Sequence, residues 1–127
     1  LVYNKDNVLC LNNYAYFLSI DGKHLDKAEE MSRRTIKKEP ENPTYLDTYA
    51  WVLFRQKRYA EAKIYIEQAL KFDTVDVSAD VLEHAGDIYA NNGEMEKAME
   101  KWKEALKLAP ENKVLIRKIK LKKYLRR

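Results

Sequence analysis

The chain has 127 residues, of which 46% are hydrophobic and 35% charged, with only three Gly and three Pro, a balance that suits one helix-rich domain with a real core. Its single cysteine, Cys10, excludes an intrachain disulfide, and apolar runs such as residues 49–54 are far too short to span a membrane. The net charge of +4 is uneven: residues 113–127 carry eight Lys or Arg and no acid, so the first 112 residues stand at −4.

In chain order, residues 1–7 align with residues 70–76 and 106–112, and are expected to be the last turn of an earlier helix in a longer array. Helices are then expected near 8–21, 25–38, 43–56, 59–72, 78–92, 95–108 and 112–125. Asp21-Gly22 and Asn91-Asn92-Gly93 supply turn chemistry between paired helices. Pro40, Pro43 and Pro110 mark stops between units. The last helix, within 113–127, lacks a partner and is expected to cap the array, with Leu115, Ile119 and Ile116 as the residues able to pack inward.

The pairs repeat. Lys57-Arg58-Tyr59-Ala60-Glu61-Ala62 matches Gly93-Glu94-Met95-Glu96-Lys97-Ala98, and Gly22 to Ala28 matches both with one extra turn residue. The alanines at 28, 62 and 98 are 34 and 36 residues apart. Each unit divides as 8–42, 43–76 and 79–112. Small residues at Ala15, Ala50 and Gly86, facing Ala28, Ala62 and Ala98, would let two helices approach closely while larger residues fill the gaps.

The first helices read Leu11, Tyr14-Ala15 and Leu18; Leu46, Tyr49-Ala50 and Leu53; Leu82, Ala85-Gly86 and Tyr89. The second helices read Ala28, Ser32 and Thr35; Ala62, Ile66 and Ala69; Ala98, Trp102 and Ala105, with Pro40 and Pro110 beyond the first and third. This pattern resembles the tetratricopeptide repeat family, in the style of the C-terminal part of a bacterial repeat protein. The resemblance implies an all-α fold, a right-handed α-solenoid of antiparallel helix pairs with about seven helices. It also implies a protein-interaction scaffold or adaptor that holds a partner segment in the concave groove lined by the first helices.

Carried over by register, the resemblance places Asn12, Tyr16, Asp47, Thr48, Trp51, Phe54, Asp80, Glu83, His84 and Asp87 on that groove. Tyr16, Trp51 and Phe54 would form an aromatic cluster beside the acids Asp47, Asp80, Glu83 and Asp87. Aromatic rings near charge are the composition of a binding anchor, and they would favour an apolar segment carrying Lys or Arg. A second reading stands beside this one: the rings close against neighbouring helices as core, and the acids are an ordinary solvated face. One subgroup of the family grips acidic chaperone tails with a clamp of Lys, Asn and Arg. The corresponding places here hold Asn12 and Tyr16, then Thr48, then Asp80 and His84, without the clamp's Lys or Arg, so an acidic tail is not expected.

Other chemistry has little support. His24 and His84 lie in no metal-binding pattern, and no cofactor or catalytic motif occurs, so neither enzyme activity nor a metal or cofactor is expected. Lys118, Lys120, Lys122, Lys123, Arg126 and Arg127 form a basic tail that offers an alternative, electrostatic docking on nucleic acid or an anionic membrane. Only Tyr124 stands near them to stack on bases, which makes a solubilising cap the simpler reading. Exposed apolar residues near Val8 and Leu11 would drive self-association if no earlier repeat covers them.

Overall fold

A computed structural model describes residues 7–72 and 78–122. Seven helices follow one another among them: α1 (Val8–Asp21), α2 (Leu25–Lys38), α3 (Pro43–Arg55), α4 (Tyr59–Phe72), α5 (Ala79–Asn91), α6 (Met95–Leu108) and α7 (Lys113–Leu121). They form an α-solenoid. α1 packs on α2, α3 on α4 and α5 on α6, and each second helix then meets the first helix of the next pair.

Local chemistry explains where the helices start. Each first helix and α7 begin behind a side-chain cap that satisfies an orphan backbone N–H of the first turn. Asn7 accepts from Cys10, Asn42 from Thr44 and Tyr45, Ser78 from Val81 and Asn112 from Leu115, at 3.0–3.2 Å. α2 and α6 follow tight turns and have no such cap. Those turns need a left-handed residue. Gly22 (φ 76°) and Gly93 (φ 77°) supply it in the first and third pairs, whereas Lys57 (φ 65°) takes it in the second. A lysine there meets the steric strain that glycine avoids.

The small residues do what their spacing implied. Ala15, Ala28, Ala50, Ala62 and Ala98 are fully buried at the helix crossings. At Gly86 the reason is atomic: the Trp102 indole lies against the α5 backbone, and a Cβ added there would collide with the ring. Trp102 is itself fully buried, in a core built from α3 to α6 and Leu115 of α7. A smaller core joins Leu11, Ala15, Leu18, Ala28 and Met31 to Val52 of α3.

At the first-repeat end the uncovered residues are not the expected ones. Leu11 is fully buried and Val8 half-buried, while Leu9, Phe17 and Ile20 stand 57%, 63% and 59% exposed. Leu11 points toward its own repeat partner, where Ala28 and Met31 cover it. α7 ends at Leu121, with Lys122 left-handed behind it; Lys123, Tyr124, Arg126 and Arg127 lie outside the described residues. Leu115 packs inward as expected, Ile119 is half-buried, and Ile116 is 43% exposed.

Candidate functional site

α1, α3 and α5 are in contact in sequence order, so their outward faces form one continuous surface. A shallow pocket of about 240 Å³ opens on it, lined by α1, α3 and α5 and by the Ser78 cap. Asn12, Tyr16, Asp47, Thr48, Asp80 and His84, all expected on the groove, line this pocket. Trp51, Phe54, Glu83 and Asp87 do not.

The aromatic group divides. Tyr16 and Trp51 are half-buried, and the Trp51 ring stacks on His84 at 4.0 Å and on Phe54 at 4.7 Å. Phe54 is only 4% exposed and packs into the core beside Tyr59, which removes it from the contact surface. Its place near the end of α3 turns it under the helix, where the Tyr59 ring covers it.

The acids divide more sharply. Asp80 alone is exposed. Asp47 is 8% exposed and accepts from His84 Nδ1 at 2.9 Å. Glu83 and Asp87 are each 2% exposed and are bound to the Lys118 ammonium, which reaches them from α7 at 2.7 and 2.9 Å. Asn112 Nδ2 donates to Glu83 at 3.3 Å, and Trp102 Nε1 donates to Asp87 at 3.1 Å. Glu83 and Asp87 are therefore interior anchors for the last helix, not free groove carboxylates. Lys118, assigned to the basic tail, is 1% exposed and cannot meet an external phosphate. Of that tail, Lys120 and Lys122 are exposed among the described residues, and Arg117 is exposed beside them.

Desolvation governs the charge states. Burial pushes Asp87 up to about 6 despite the pull of the Lys118 ammonium. Burial alone would lower His84, but the Asp47 carboxylate, helped by Asp87 and Asp80, holds it above its ordinary value. Four carboxylates (Asp47, Asp80, Glu83, Asp87) thus share two basic groups, His84 and Lys118. The surface keeps an acidic field, although most of its acids are already paired.

Sequence reasoning missed the inward lysine. Its signal was present, because Lys118 follows the buried Leu115 by three positions and so shares its helix face. A long aliphatic stem lets lysine cross an apolar layer and deliver its charge beyond it.

Comparison with known proteins settles the lineage. A tetratricopeptide repeat model matches residues 43–74 and 79–112, just over half of the chain. The chain belongs to the tetratricopeptide repeat family. A TPR repeat-containing protein of Pseudomonas aeruginosa is 33% identical over 66 residues, a stretch that covers 52% of this chain and only 11% of that relative. Among solved structures, the first TPR domain of human RPAP3 superposes with a TM-score of 0.80 at 19% identity, covering 94% of this chain and 91% of that one. A tetratricopeptide repeat protein from Parabacteroides merdae gives a TM-score of 0.80 at 21% identity, covering 94% of this chain and 45% of that one. At these identities the likeness establishes the TPR fold. No helix among the described residues is long and apolar enough to cross a membrane, and none of them group as a metal site.

Proposed function

We propose that this TPR chain is a protein-binding module that holds a segment of another protein along the α1–α3–α5 face, without catalysing a reaction. The observation that carries this reading is the pocket lined by Tyr16 and His84, which sets a half-buried aromatic ring beside unspent polar groups on one accessible face, with the half-buried Trp51 stacked on His84 outside the lining. Such a mixture supplies apolar burial for affinity and polar groups for orientation. A solved relative in fold, the first TPR of Spaghetti (RPAP3), is bound to the HSP90 peptide SRMEEVD. The present groove has the opposite electrostatics from one that welcomes such an acidic tail, since Asp80 and His84 stand where a clamp would place cations. The preferred segment is apolar and carries Lys or Arg, drawn by the net acidic field.

A peptide array screened against the wild type and Trp51→Ala tests this. Basic-apolar peptides should be selected, and the variant should lose about 2 kcal/mol of affinity. Asp80→Asn should slow association and flatten its salt dependence. Selection of acidic peptides, or binding indifferent to Trp51, overturns the reading. The rival, electrostatic docking through α7, loses Lys118 and rests on Arg117, Lys120 and Lys122 among the described residues. It requires affinity that collapses steeply as salt rises, unlike an aromatic-anchored contact.

A further inference from the structure

The three first helices and α7 share one register when counted from their caps, Asn7, Asn42, Ser78 and Asn112. The fifth residue after the cap is Asn12, Asp47 and Glu83 in turn. The sixth is Asn13, Thr48, His84 and Lys118. The contacts then follow a rule: the fifth residue of one helix meets the sixth of the next. Glu83 meets Lys118 at 2.7 Å and Asp47 meets His84 at 2.9 Å. Each step is an acceptor answered by a basic group of the chain itself.

The first step breaks the rule. Thr48 stands where His84 and Lys118 stand later, and its hydroxyl donates instead to the Thr44 carbonyl of its own helix at 3.1 Å. Asn12 is only 4% exposed, and its Oδ1 is buried without a hydrogen-bond partner. This vacant step coincides with the pocket that Asn12, Thr48, Asp47, Asp80 and His84 line. Asp80 is exposed and accepts no hydrogen bond among the described residues. We propose that this pocket receives one ammonium or guanidinium group of a bound segment, so that the partner supplies the cation the chain omits between Asn12 and Thr48.

This rests on the groove reading above and makes its ligand specific. No hydrogen bond holds the Asn12 carbonyl oxygen where it lies, so a half-turn of the terminal amide presents it to the pocket without breaking a bond at that oxygen. Asp47 and the Thr48 hydroxyl retain lone pairs beyond the bonds they make. Asp80 adds charge at the exposed rim. A lysine or arginine tip brings several donors to these acceptors. A carboxylate would bring only more acceptors and meet Asp47 and Asp80 with like charge. His84 already turns its Nδ1 to Asp47.

The test is an NMR titration of the ¹⁵N-labelled chain with Nα-acetyl-lysine amide, Nα-acetyl-arginine amide and the uncharged Nα-acetyl-norleucine amide. The two cations should shift the Asn12 side-chain amide and the Asp80 backbone in a saturable manner, and norleucine amide should not. Asp80→Asn, an exposed change that leaves the core intact, should weaken the lysine probe about threefold or more at low salt. Thr48→Lys should fill the step from within and abolish the response, by analogy with Lys118. Equal shifts from norleucine amide, or an unmoved Asn12 amide under saturating lysine probe, overturn the proposal. If basic peptides still bind through Trp51 in that case, the groove reading survives alone. If the lysine probe binds at Asn12 while peptide binding ignores Trp51, the cation pocket stands and the groove reading falls.

Discussion

The two ends of the array solve the same packing problem differently. Around α7 the buried charges are answered: Glu83 and Asp87 by Lys118, Asp87 again by Trp102, and the Glu83 carboxylate also by Asn112, although Glu94 Oε2 at the start of α6 is buried without a hydrogen-bond partner. At the α1–α2 end, Asn12 Oδ1 and Ser32 Oγ are buried without partners, and Leu9, Phe17 and Ile20 face solvent. Both ends place small residues at the crossings, Ala15 and Ala28 at one and Gly86 and Ala98 at the other. The backbone framework is therefore indifferent to how its side chains are satisfied, and each end can take on a separate task.

The strongest way to break this contrast is to remove the buried cation. Lys118→Met leaves two interior carboxylates without a counter-charge and should cost about 3–5 kcal/mol, read from urea denaturation. Lys120→Met, on the exposed side of α7, should change little. Replacing Glu83 by Gln and Asp87 by Asn in the Lys118→Met background should recover part of the loss. An unaltered midpoint in Lys118→Met would mean that α7 is held by Leu115 alone.

Acidity probes the same end. Asp87 is raised to about 6 in the folded chain, so the native state holds a proton that the unfolded chain has released above the ordinary aspartate value near 4. Stability from this group falls as pH climbs from about 4 to 6. His84 is raised as well, so its contribution is present below its unfolded value and is lost as pH rises through the folded one. Both signs agree. The unfolding free energy should fall as pH rises from about 4 to 8, the Asp87 part on the order of 1–3 kcal/mol, and Asp87→Asn together with His84→Gln should flatten the slope.

Gly86→Ala forces the Trp102 ring away from the α5 backbone and with it the indole bond to Asp87. A loss of about 1–3 kcal/mol should follow in thermal or urea melts. The matching change in the first pair, Ala15→Ser, also adds one heavy atom at a fully buried crossing and compares the tolerance of the two ends.

Lys57→Gly works in the opposite direction. It relieves a left-handed lysine at the turn where Gly22 and Gly93 serve the other pairs, and should stabilise by about 0.5–1 kcal/mol. The smallest effect belongs to the exposed end. We expect weak association of copies through Leu9, Phe17 and Ile20, detectable by sedimentation at high concentration and diminished by Phe17→Ser without loss of the fold.

These comparisons also show what a single sequence discloses. The helices and their pairing were legible because alternating small and large residues recur at near-constant spacing, and because Asn, Ser and Pro punctuate the starts. Gly86 was legible for the same reason, although only the structure reveals Trp102 as its cause. The groove was legible as a face but not as a chemistry. Asp47, Glu83 and Asp87 read as free acids because their partners come from other helices, 31 to 37 residues away. Lys118 was hidden by its basic neighbours, whose charge suggested a solvated stretch and masked the face it shares with Leu115.

One further consequence follows from α3. It belongs to both cores, sending Val52 toward α1 and α2 while Leu46, Tyr49 and Leu53 join the packing of α4 to α6. Mechanical load or thermal fraying entering at either terminus must cross this shared helix to reach the other half, so α3 acts as the keystone through which the two halves sense one another.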